Sequence, residues 1–226
     1  GHTEGGRQPS GNRESGKLFS FGLMPPANSG EYGLVEEDGR SWLAVTIPDS
    51  RFPIPVLPTG ELKIFGLHNA ANALAALALA DAAGVPRDAS LSALRDFAGL
   101  PHRCEFVGRH ADVDYFNDSK GTNVGSTLAA LNGLPAPIVW LGGGQGKGQS
   151  FSELREPLAR KGRAAVLFGE DAALIEHEVF GALPVYRETD MHQALHRARG
   201  LAQPGDRVLL SPACASFDQF KSYVDR

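Results

Sequence analysis

From residue 105 onward, short apolar runs alternate with stretches of high helical propensity, and Gly, Asp or Pro separates them. The runs fall at 115–116, 138–141, 164–168 and 208–210, and the helical stretches near 123–132, 152–160, 171–178 and 190–202. Apolar runs this short are strands, and neighbouring parallel strands need a crossover of about a dozen residues, usually a helix. The pattern therefore predicts an α/β, Rossmann-like domain with a parallel-rich sheet and helices on both faces. Ligands of such sheets bind beyond the carboxyl ends of the strands. Polar clusters follow three of the runs: NDSK at 117–120, GGGQGKG at 142–148 and SPACAS at 211–216.

The first half reads differently. Residues 1–18 are polar and rich in Gly, Ser and charge, the composition of a disordered lead-in or a tag. Short strands are expected at 18–23, 41–47 and 61–65, between Pro and Gly turns. Residues 68–83, dense in Ala and Leu, predict a helix that Gly84-Val85-Pro86 stops. A second helix is expected at about 90–98, ending at Gly99-Leu100-Pro101, with a domain boundary between Leu100 and Glu105. A net charge of −4 argues against a nucleic-acid partner. Two cysteines are too few for a disulfide framework and suit a reducing, cytoplasmic setting. Neither an 18-residue apolar run nor a signal-peptide core is found, so no membrane partner is expected.

Five clusters can carry chemistry, and each has a plainer reading. Asn69 and Asn72 share a helix face, and their amides match an adenine edge, although one Asn can simply cap the helix. Arg103, in a loop with His102, can clamp phosphate or be merely solvated. The run Asn117 to Asn123 places Asp118, Lys120 and Thr122 before a helix start whose N–H groups favour anions, and the same residues make an ordinary cap. The glycine run is not a phosphate-binding GxxxxGK[ST], which would need Gly at 141 and Ser or Thr at 148, where Leu141 and Gly148 stand. It reads as a flexible loop presenting Lys147 to a carboxylate or phosphate, or as a long polar turn. In SPACASFDQF, Cys214 reads as buried and Ser216 as the cap of a helix starting around Phe217. No G-x-S-x-G elbow supports a nucleophile.

Order and wording say more than any single cluster. GLHNAANALAALALADAAGVP, GLPHRCEF, FNDSKGTNVGSTLAALNGL, GGGQGKG and LLSPACASFDQF follow one another as in the Mur ligase family, which the chain resembles closely over 60–226 and loosely over 18–60. The resemblance implies three domains: one for a UDP-sugar, a central ATP-binding domain with a P-loop, and a Rossmann-like C-terminal domain. Residues 19–100 then correspond to the end of the central domain and 101–226 to the C-terminal, glutamate-binding domain. The P-loop and the modified lysine that helps hold magnesium are not among these residues, which alone are expected not to bind the triphosphate in the family manner. Arg226 is expected to fall slightly short of where family members end.

The implied reaction joins glutamate, with D-glutamate the expected acceptor, to UDP-N-acetylmuramoyl-L-alanine in peptidoglycan synthesis. ATP and Mg2+ serve as cofactors, and an acyl phosphate is the intermediate. By the same resemblance Asn69 and Asn72 read adenine, Arg103 contacts the ATP phosphates, Asp118 holds the ribose and Lys120 lies near the reacting groups. Thr122, Lys147, Ser216, Phe217 and Tyr223 grip the incoming glutamate. No metal ligand is assigned to this chain, and a monomer is expected. Phe217 stands where many relatives carry Leu, Tyr223 where they carry Phe, and Gly144-Gln145 where an Asp is expected. These departures surround the acceptor and leave L-glutamate, or the acceptor of another Mur or folylpolyglutamate-type ligase, as alternatives. A non-catalytic nucleotide- or amino-acid-binding module is the alternative of another class.

Overall fold

The computed structural model describes residues 18–226, so the expected lead-in lies outside the described residues except for Leu18. A four-stranded sheet comes first. β1 (Ser20–Phe21) pairs parallel with β2 (Glu31–Glu37), and β3 (Arg40–Val45) and β4 (Ile54–Pro58) follow antiparallel. The β2–β3 hairpin turns on Asp38 and Gly39, whose φ values of 50° and 70° make the twist that suits a two-residue hairpin. α1 (Leu67–Ala82) and α2 (Arg87–Asp96) follow. α1 packs on this sheet, and Leu43, Leu57, Leu74 and Leu77 are fully buried between them. Each such side chain contributes about 1.5–3 kcal/mol of transfer free energy.

The second sheet has six strands in the order β5-β6-β10-β7-β8-β9. They are β5 (Glu105–His110), β6 (Val113–Asn117), β7 (Ile138–Gly143), β8 (Gly162–Phe168), β9 (Val185–Arg187) and β10 (Arg207–Leu210). β5 runs antiparallel to β6, and the other pairings are parallel. The crossovers are α3 (Val124–Gly133), α4 (Arg155–Lys161), α5 (Ala172–Glu178) and α6 (Met191–Leu201). All six residues of β7 are buried, as a strand covered on both faces requires. Ile138 and Trp140 pack with Leu131, Leu158 and Ile175 from α3, α4 and α5, while Val139 and Leu141 pack with Ala194 and Ala198 of α6. The α/β architecture with a parallel-rich sheet is therefore as expected.

Several local expectations are corrected. The strand expected at 61–65 is absent; Thr59–Glu61 form a 3-10 turn, and the strand lies earlier, at Ile54–Pro58. Its prolines obscured it, but β4 is an edge strand, where a missing N–H costs no ladder bond. β2, β5 and β9 add to the strands expected from the sequence. The helix expected around Phe217 is a single turn, in which the Gln219 and Phe220 N–H groups donate to the Ser216 carbonyl. α2 starts at Arg87, directly after Pro86.

The two sheets meet through α1 and α3. The Gly66 and Gly133 backbones abut, with the His68 ring packed against both, and any Cβ at either glycine would crowd that ring. The Phe65 ring lies 5.4 Å edge-on from Phe116 and 6.0 Å from Phe106. This packing sets the start of α1 against the carboxyl end of β6.

Candidate functional site

β6, β10 and β7 are neighbours in the second sheet, so the three polar loops that follow them emerge side by side. Backbone bonds stitch them together. Ala213 N–H donates to the Gly121 carbonyl (2.9 Å), Gly143 N–H to the Pro212 carbonyl (2.8 Å), and Gln145 and Ala215 exchange both bonds. Gly146 N–H donates to Asp171 Oδ2 at 2.6 Å. The glycine loop is thus braced, and three of its N–H groups are engaged within the protein. Its glycines serve close packing: a Cβ at Gly143 would strike the Phe168 carbonyl, and one at Gly144 the Ala215 carbonyl, both at positive φ.

Asp118 sits at the base of these loops, 8% exposed. Its Oδ1 accepts from the Cys104 N–H (3.1 Å) and its Oδ2 from the Ser211 hydroxyl (2.6 Å). Burial pushes its pKa up to about 6, against the lowering effect of those two bonds and of the Arg103 charge. The Ser211 carbonyl in turn accepts from Trp140 Nε1 (2.8 Å) and the Thr127 hydroxyl (3.2 Å), which fixes Ser211 in the core.

A cleft of about 150 Å³ opens between α1 and this base, lined by His68, Asn69, Asn72, Arg103, Asp118 and Lys120 among others. The residues expected to handle nucleotide therefore come together, although Asn69 and Asn72 are far from Asp118 in sequence. A second hollow of about 280 Å³ shares Asn69, Asn72 and Arg103 and is walled by Ile64, Leu94, Phe97 and Leu100. An apolar slot with amides at its rim thus adjoins a polar cleft, the mix of apolar wall and few convergent polar groups typical of a small-molecule site. Asn69 Nδ2 donates to the Phe65 carbonyl (2.8 Å) and Asn72 Nδ2 to Asn69 Oδ1 (3.3 Å). This relay holds both amides in place.

The expected acceptor residues occupy the same three loops. Thr122 precedes α3. At that helix start the Ser126 N–H is taken by the Asn123 side chain (2.9 Å) and the Val124 N–H by Gln149 Oε1 (3.2 Å), so fewer donors remain for an anion than the sequence suggested. Ser216 is buried, and Lys147 Nζ lies 5.9 Å from the centroid of the exposed Phe217 ring. The Tyr223 ring receives Lys120 Nζ at 4.0 Å and the His102 ring edge-on at 5.7 Å. Its aromatic face makes these contacts.

Three residues that the sequence reading did not use belong to this network. The Asn117 amide is oriented by the Ser119 N–H, which donates to Asn117 Oδ1 (3.0 Å), so its Nδ2 donates to His102 Nδ1 (3.1 Å). That nitrogen is then the unprotonated one. Arg226 is buried; its Nη2 donates to the Ser119 (3.0 Å) and Cys214 (3.1 Å) carbonyls, and burial lowers its pKa to about 10. Gln149 spans two loops. No local pattern marks these roles, because each depends on loops distant in sequence. Among the described residues no group of three His, Cys, Asp or Glu side chains could hold a metal, and no helix is long and apolar enough to cross a membrane.

A parallel-rich sheet with a polar cleft and a second polar loop cluster at its carboxyl edge is the arrangement of a ligand-binding α/β domain. Residues 102–214 match the family model "Mur ligase, glutamate ligase domain", and the chain belongs to the Mur ligase family. It is 51% identical over 212 residues to the UDP-N-acetylmuramoylalanine–D-glutamate ligase of Pseudomonas aeruginosa, covering 92% of this chain and 46% of that protein. The enzyme of the same name from Methylobacillus flagellatus is 47% identical over 210 residues, covering 92% of this chain and 45% of its own. The chain thus spans about half the length of the curated relatives it matches. Among solved structures, UDP-N-acetylmuramate-alanine ligase from Thermotoga maritima shares the fold with a TM-score of 0.60 at 18% identity, over 85% of this chain and 44% of that one.

Proposed function

We propose that this chain is the nucleotide-facing and acceptor-binding part of an ATP-dependent, ADP-forming ligase that adds D-glutamate to UDP-N-acetylmuramoyl-L-alanine. The observation that carries the proposal is the convergence of Asn69, Asn72, Arg103, Asp118 and Lys120 on one cleft, beside the loops that bear Thr122, Lys147 and Ser216. Relatives at about 50% identity that bear this activity by name support D-glutamate as the acceptor. Residues 19–100 are assigned to the end of a central ATP-binding domain and 101–226 to the glutamate-binding domain, a division that the two separate sheets and cores support. Two free, buried thiols with pKa values pushed up to about 12 suit a reducing cytoplasm, and the enzyme is proposed to act there as a monomer.

In this reading the base enters the apolar slot at the Asn72 amide. The buried Asp118 carboxylate accepts from ribose hydroxyls, which stabilise the charge that burial disfavours. Arg103 and Lys120 neutralise phosphate charge and hold the transferring group in line. The substrate carboxylate attacks the γ-phosphorus and ADP leaves. The amine of glutamate then attacks the acyl phosphate carbon, releases phosphate and forms the amide. Lys147 and the Thr122 and Ser216 hydroxyls hold the glutamate carboxylates. A magnesium ion, when bound, would add charge neutralisation at the phosphates that Arg103 and Lys120 would hold.

The test is ADP release by the full-length enzyme with UDP-N-acetylmuramoyl-L-alanine and D- or L-glutamate offered separately. D-glutamate should support turnover, and residues 1–226 alone should release no ADP. Lys147→Ala should raise the glutamate KM strongly and leave the ATP KM nearly unchanged. Turnover with L-glutamate only would replace the acceptor, and a Lys147→Ala effect confined to ATP would remove the acceptor site from this loop.

A further inference from the structure

Gln149 lies just after the glycine loop, half-buried, and its side-chain amide is bonded at both ends. Its Oε1 accepts from the Val124 N–H, the first of α3, at 3.2 Å. Its Nε2 donates to the Ala213 carbonyl at 2.7 Å. Ala213 is fully buried with a φ of 60°, a conformation that a β-carbon residue keeps only when its surroundings hold it. Its own N–H is committed to the Gly121 carbonyl at 2.9 Å. One amide therefore ties the loop after β7 to the loop after β6 and the loop after β10. Those are the loops that carry Lys147, Thr122 and Ser216.

We propose that Gln149 is a positioning residue for the acceptor amino acid, acting by fixing the mutual spacing of Thr122, Lys147 and Ser216. The inference rests on the acceptor site proposed above. Two carboxylates must be gripped together for the amine to approach the acyl phosphate, so a loop displaced by an ångström weakens the grip. A primary amide suits this place because one end must accept and the other must donate. A carboxylate would set acceptor against acceptor at Ala213, and an alkyl chain would leave the Val124 N–H and the Ala213 carbonyl without partners. By occupying the Val124 N–H, Gln149 also withdraws a helix-terminal donor from the site. The acceptor carboxylates are left to the side chains of the three loops.

The experiment is steady-state kinetics on full-length Gln149→Leu and Gln149→Glu, with Lys147→Ala alongside and melting temperatures measured for each. Gln149→Leu should raise the glutamate KM about tenfold, equivalent to about 1.4 kcal/mol, with the ATP KM within about twofold. A residue that only supports the fold would lower the melting temperature and the active fraction and leave both KM values in place. That result in a folded Gln149→Leu overturns the proposal. If the Leu variant does not fold, Gln149→Glu decides, since it keeps the acceptor for Val124 and disturbs only the Ala213 bond; an unchanged glutamate KM there overturns the proposal as well. A raised glutamate KM in Lys147→Ala without one in the Gln149 variants removes Gln149 alone. A Lys147→Ala effect confined to the ATP KM removes the acceptor site itself.

Discussion

Asp118 ought to make the protein less stable as pH rises, and replacing it with Asn should remove that penalty. The carboxyl is 8% exposed, and its pKa is raised from 3.8 to about 6 because burial outweighs its bonds from Ser211 and Cys104. A raised folded-state pKa means that between these values the native state binds more protons than the unfolded chain. Stability from this group is then full below pH 3.8 and is lost as pH climbs through about 6. Each step of one in pKa is worth about 1.4 kcal/mol, so the charged native state carries a penalty of about 3 kcal/mol near pH 7.5. The amide introduced by Asp118→Asn would still accept from the Cys104 N–H through its oxygen, and the Ser211 hydroxyl can rotate to accept from its nitrogen. Urea unfolding of parent and Asp118→Asn at pH 4 and pH 7.5 reads the effect. Because the unfolded carboxyl is already more than half ionised at pH 4, the variant should gain about 2.4 kcal/mol on the parent between the two pH values, and taking the difference cancels the other titrating groups. A difference that stays constant, or moves in favour of the parent, refutes the burial argument. In the full-length ligase the same substitution should raise the ATP KM, because an amide offers one acceptor where a carboxylate offers two. A site held ready for ligand hydroxyls at a cost in stability is the expected trade.

Two further outcomes follow from the cleft. Arg103→Ala removes a cation beside Asp118 and the proposed phosphates. At about 1.5–3 kcal/mol for a charge-assisted hydrogen bond, kcat/KM for ATP in the full-length enzyme should fall roughly 10- to 150-fold; an unchanged ATP dependence would misplace the nucleotide. Tyr223→Phe keeps the ring beneath Lys120 and should stay close to the parent in kcat, whereas Tyr223→Leu removes a cation–π contact worth about 0.5–1 kcal/mol. The Leu variant should lose roughly two- to fivefold in kcat, and equal losses in the two variants would point to the hydroxyl instead of the ring.

The sequence by itself determined four of the six strands of the second sheet, the helices that cover it, and α1. β7, β8 and β10 are buried apolar runs, α1 is dense in Ala and Leu, and Gly84 and Pro86 mark its end, so each signal is local and survives reading one residue after another. It also placed the polar clusters at strand ends, and the order of five motifs pointed to the family. Asp38-Gly39 is a legible hairpin signal for β2, one of three strands absent from the apolar-run pattern. The β5–β6 turn was not legible, because Ala111 and Asp112 adopt positive φ without glycine. The prolines of β4 read as a break until its edge position was known. Only the tertiary structure decided which polar groups are free. Whether the glycine loop cradles an anion depends on where its N–H groups go, and they go to Pro212, Ala215 and Asp171. Whether Asp118 titrates near 6 depends on what covers it, and Gln149 acquires a role only once loops 25 and 64 positions away lie within reach of its amide. A side chain's type is written in the chain, but its solvation and partners are properties of the packed molecule.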